Sequence, residues 1–92
     1  MAQSCIVIQG DPESLKSQLI ALAGNIQIVE KTTSAGKFVV VYDTTPVTQN
    51  FTVIQGDPQK LSSDINGIIT GGDVISLIIP TFSSSHYLVV SE

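Results

Sequence analysis

Val7-Ile8-Gln9-Gly10-Asp11-Pro12 recurs as Val53-Ile54-Gln55-Gly56-Asp57-Pro58, and this repetition decides the fold. Six consecutive identities in so short a chain mark an internal duplication, with each copy one supersecondary unit. Working outward, Leu15 aligns with Leu61, Ser17 with Ser63 and Leu19 with Ile65. After an insertion around Gly71-Gly72, Asn25-Ile26 aligns with Asp73-Val74, and Lys37–Asp43 with His86–Glu92.

Each copy reads as β-α-β-β. A first strand (Ser4–Gln9; Asn50–Gln55) ends at a glycine. Asp11 and Asp57 then fall where a helix N-cap belongs, because their carboxylates can accept from an unpaired N–H of the first turn. Pro12 and Pro58 follow at the first helical position, where the missing N–H costs nothing. Leu15, Leu19, Leu22 and Ala23 form one apolar stripe at helical spacing, as do Leu61, Ile65, Ile68 and Ile69. Gly24 and Gly71-Gly72 are expected to stop the helices. A hairpin follows: Ile26–Thr33 and Lys37–Asp43 flank Ser34-Ala35-Gly36, and Val74–Phe82 and His86–Ser91 flank Ser83-Ser84-Ser85. Residues 44–49, with Pro46, read as a linker between repeats 3–43 and 50–92 of a single domain.

A right-handed strand–helix–strand crossover makes its two strands parallel. With the hairpin's last strand inserted between them, the expectation is an α/β (α+β) domain with one six-stranded mixed sheet. Both helices would then lie on one face, related by a pseudo-twofold axis. Pro80, which cannot donate to a ladder, is expected at an edge or bulge. The element order resembles ferredoxin-like and tautomerase-like architectures. The amino-terminal catalytic proline of tautomerases has no counterpart in Met1-Ala2-Gln3, so the resemblance implies an element type and no activity.

Composition narrows the partners. Hydrophobic residues make up 42% of the chain and charged ones 13%, too few to keep a large apolar surface comfortable in water. The strands are apolar on both faces, Cys5 and Val7 alternating with Ile6 and Ile8, and such strands are normally buried on both. A homo-oligomer, most simply a twofold dimer, is therefore expected. Net charge is −4, and Lys16, Lys31, Lys37 and Lys60 are the only basic side chains besides His86, which excludes nucleic acid and anionic membrane as natural partners. No run is long enough to span a bilayer, no signal peptide is evident, and a cytoplasmic protein is expected. Cys5, single and within an apolar run, reads as a small buried hydrophobe.

Chemistry-bearing residues are few. His86 is the one side chain that ordinarily titrates near neutrality, and it follows three serines, but adjacency in sequence does not define a catalytic triad. No metal-ligand spacing occurs, and no cofactor is implied. The two glycine–aspartate turns place Gly10, Asp11, Gly56 and Asp57 at helix N-termini that could meet a ligand, although each Asp sits where an anion would go. His86, Asp11, Asp57, Gly10 and Gly56 are thus the candidate ligand-binding residues. The expected function is a small, non-enzymatic, self-associating module that binds a partner or small molecule at a subunit interface. A structural or shell component is one alternative, and a small enzyme with an inter-subunit site is another.

Overall fold

The computed structural model describes residues 3–22, 24–45 and 47–92. Ala23, placed above in the first apolar stripe, Pro46 of the linker and the Met1-Ala2 start lie outside the described residues. In chain order the elements are β1 (Gln3–Gln9), α1 (Pro12–Ala21), β2 (Asn25–Lys31), β3 (Lys37–Asp43), β4 (Asn50–Gln55), α2 (Pro58–Thr70), β5 (Ile75–Pro80) and β6 (His86–Ser91). Each β-α-β-β unit is present, and in each the last strand lies between the other two.

The single six-stranded sheet is not formed. There are two separate three-stranded sheets, ordered β1-β3-β2 and β4-β6-β5, with every neighbouring pair antiparallel. The parallel strands of each crossover never touch, because the hairpin strand separates them. Edge-to-edge fusion is blocked locally at β2. The Gln49 amide donates to the Ile26 carbonyl and accepts from the Ile26 N–H, occupying that edge like one rung of a neighbouring strand. Pro80 lies on β5, an edge strand as expected.

The duplication is close to exact in backbone terms. Gln9 pairs with Lys37 as Gln55 pairs with His86, and both second strands carry an irregularity at the same place, Ile26/Ile28 and Ile75/Leu77. The ladders set Ile26 equivalent to Ile75, since Ile26 pairs with Tyr42 and Ile75 with Ser91. The sequence alignment of Asn25-Ile26 with Asp73-Val74 is therefore one residue out of register: a bulge absorbs the shift, and sequence similarity across it is too weak to fix the count. Asp11 and Asp57 cap the helices as expected, accepting from the backbone N–H of Ser14 at 2.8 Å and Lys60 at 2.9 Å.

Packing explains why the units stack rather than fuse. On the side of the first sheet that carries α1, Ile8, Val29, Phe38 and Val40 join Leu15 and Leu19 of the helix in the main core. From the second unit, Ile79, Leu88 and Val90 enter the same core, with Phe51, Val53 and Leu77 packed against it. Cross-strand register puts these six on one face of the second sheet. Ile54 and Val89 point to its opposite face and are buried outside that cluster, on the side where α2 meets β4. The order through the molecule is first sheet, α1, second sheet, α2. The helices are therefore not on one face of a common sheet. Nor does a pseudo-twofold relate the units, because the helix side of one meets the helix-free side of the other. The narrow 16 Å dimension of the 36 × 32 × 16 Å envelope follows from sheets only three strands wide.

Stacking answers part of the two-faced apolarity: the helix-free face of the second sheet is covered within the chain. The equivalent face of the first sheet is not. Cys5 is exposed there, contrary to the buried role expected from its apolar neighbours, and Val7 and Ile28 stand beside it in solvent. An apolar run on a strand says that burial is favoured, not that a covering layer exists.

Candidate functional site

The stacking seam creates an open cavity of about 420 Å³. The first unit contributes the start of its helix, Asp11, Pro12 and Glu13, and the second contributes Val53, Gln55, Ser83 and His86 from strand ends and hairpin turn. Two chain segments far apart in sequence meet here because the N-terminus of α1 points toward the hairpin end of the second sheet.

Each wall is locally determined. Gly10 has φ +153°, and a Cβ built there would lie 2.6 Å from Ser14 Oγ, so only glycine lets the strand turn tightly into the cap. Its N–H donates to Gly36 O, tying the turn to the hairpin, and Gly56 does the same to Ser85 O. On the opposite wall the Ser83–His86 turn is closed by His86 N–H donating to Ser83 O at 3.2 Å. Positive φ falls at its third residue, the type II pattern that favours glycine. The first repeat supplies Gly36 there (φ 78°), whereas the second has Ser85 at φ 60°.

Hydrogen bonding limits the chemistry. His86 Nδ1 lies 2.8 Å from Ser84 O. A carbonyl oxygen only accepts, so Nδ1 carries a proton and the neutral ring presents Nε2 as an acceptor. One oxygen of Asp11 is committed to its helix cap. Two acidic side chains, an amide, a hydroxyl and an imidazole suit a polar or cationic group. No base–nucleophile hydrogen bond is formed among the described lining residues, since the ring nitrogen that bonds is turned to backbone. Among the described residues no group of three or more His, Cys, Asp or Glu could hold a metal ion. Nor is any helix among them long and apolar enough to cross a membrane.

Of the five residues singled out in sequence, the cavity gathers His86 and Asp11. Asp57 caps the outer helix and does not line the cavity, so Asp11 and Asp57 do not form a carboxylate pair there. Gly10 and Gly56 shape turns rather than line the cavity. Glu13, Val53 and Gln55 carry no signal in sequence, because nothing local tells that the first unit's cap will face the second unit's hairpin. Comparison with known proteins finds no match to any family model, curated protein or solved structure. Function has to be argued from surfaces and side chains alone.

Asp43, a carboxylate held below its ordinary range, lies away from the cavity. Buried Asp43 accepts from the Thr45 backbone N–H at 2.8 Å, with the Thr45 hydroxyl as a second donor, and these bonds favour its charged form over the opposing effect of burial. It closes the turn out of β3 into the linker.

Proposed function

We propose that this chain is a self-associating assembly module rather than an enzyme. The observation that carries the reading is the bare helix-free face of the first sheet, where Cys5, Val7 and Ile28 are exposed and Val39 and Val41 only half-buried. Contiguous apolar surface of this kind marks an interaction site on a soluble-sized domain. The test is sedimentation velocity from about 1 µM to about 1 mM, where a Kd of 1 µM to 1 mM corresponds to roughly −8 to −4 kcal/mol. Growth of mass with concentration supports the module, and a monomer throughout rules it out.

A second reading rests on the seam cavity. His86, Asp11 and Glu13 converge there with Gln55 and Ser83, a set able to hold a small polar or cationic molecule. Chemical-shift mapping with small amines and polyols, repeated on His86→Ala, tests it. Shifts confined to the cavity and lost in the variant support it, and an unperturbed His86 in the presence of every probe removes it.

A further inference from the structure

We infer that copies of this chain join head to tail, the α2 side of one seating on the bare face of the first sheet of the next, by repeating the join that already holds the two units together. This deepens, and rests on, the self-association reading. The basis is that the internal join is asymmetric. One unit offers its helix side and the other its helix-free face, so joining two units leaves one surface of each kind unused. The two unused surfaces are the two kinds that mate.

Residue-by-residue equivalence supports the match on both sides. On the helix-free faces, Leu88 and Val90 are buried in the seam, whereas their equivalents Val39 and Val41 are only half-buried. Val53 packs against the core, while its equivalent Val7 is 64% exposed. On the helix sides, Leu15 and Leu19 are 0% and 1% exposed, yet their equivalents Leu61 and Ile65 remain half-exposed, and α2 has no buried residue. Val29 at 7% corresponds to Ile78 at 48%. Every one of these differences has the sign expected if a second helix-free face belongs over α2 and a second helix side belongs over β1 and β3.

Charge and polarity follow the same mapping. At the seam, Asp11 and Glu13 face the His86 end of the second sheet. In the equivalent place between copies, Asp57 would face Lys37, the positional equivalent of His86. The seam's Ile79 is replaced by Glu30 on the bare face, and its Phe38 by Tyr87 on the helix side of the second unit. A phenol in place of a phenyl adds a hydrogen-bond donor to one of the two surfaces, and the glutamate adds an acceptor to the other. A symmetric dimer through the bare face of the first sheet would instead leave α2 bare.

A head-to-tail join predicts complementation, which a symmetric one does not. Val7→Glu disables the bare face and Ile78→Lys disables the α2 side; both side chains are substantially exposed, and Ile28→Glu replaces the first should its circular dichroism differ from wild type. In sedimentation velocity, wild type should form species larger than a dimer. Each variant alone should lose self-association by at least about a hundredfold. Mixed one to one, they should form a heterodimer that grows no further, since one intact surface of each kind remains. If wild type assembles but either variant still pairs with itself, or the mixture stays monomeric, the head-to-tail join is overturned while self-association stands. A wild type that never leaves the monomer overturns both.

Discussion

Leu15 and Leu61 are equivalent in sequence but not in environment, and replacing each with alanine measures the difference. Leu15 is fully buried between the first sheet and the second. Truncation removes three carbons at about 0.8 kcal/mol each, or about 2.4 kcal/mol of transfer free energy. The enclosed site also leaves a cavity, which brings the expected loss to about 3–4 kcal/mol. In a domain of this size each kcal/mol shifts the melting midpoint by roughly 4–8 °C, so Leu15→Ala should melt at least about 12 °C lower. Leu61 is half-exposed on α2, loses about half the transfer term and leaves a gap open to water, for a loss of about 1 kcal/mol and roughly 4–8 °C. The assay is thermal unfolding by circular dichroism in dilute solution, at about 5 µM. Raising the concentration should then widen the deficit of Leu61→Ala relative to wild type, because ligation of the folded form stabilises by mass action and only wild type offers the intact surface. Equal losses in dilute solution would refute the burial difference on which the asymmetric stack depends.

Three further outcomes follow from single residues. Ser85→Gly should raise stability by about 1 kcal/mol in urea unfolding, since it relieves a left-handed serine where the first repeat uses Gly36, and no gain would mean the turn is unstrained. Asp43 has a folded pKa below its unfolded value, so its contribution is present above about pH 4 and lost as pH falls through the lower folded value. Asp43→Asn should therefore be less stable than wild type at neutral pH and flatten the acid limb of stability against pH; an unchanged acid limb argues against the Thr45 bonds. Cys5 should be accessible to a thiol reagent in dilute protein and react more slowly as concentration rises, and a thiol inert at every concentration would contradict an exposed first-sheet face.

The duplication is legible in the order of amino acids, save for the register of β2 against β5 across their bulges, and so are the elements, because capping, helical spacing and turn chemistry are local. Asp11-Pro12 and Asp57-Pro58 each specify a helix start through atoms within one turn, and the hairpins follow from apolar runs around Ser-rich turns. The candidate site is half legible: His86 and Asp11 stand out as chemistry, but Glu13, Val53 and Gln55 join them only through the way two units meet.

How the units meet is what the tertiary structure alone decided. Two closely similar β-α-β-β patterns are compatible with one wide sheet or with a stack, since strands apolar on both faces do not say which face is covered, or by what. The choice turns on contacts between residues distant along the chain: Gln49 occupying the edge of β2, and the apolar helix-free face of β4, β5 and β6 meeting α1. By the same logic Cys5 and Phe51 occupy equivalent strand positions with opposite fates, one in solvent and one against the core. Strand periodicity fixes which face a side chain points to, and only the assembled layers fix what, if anything, lies over that face.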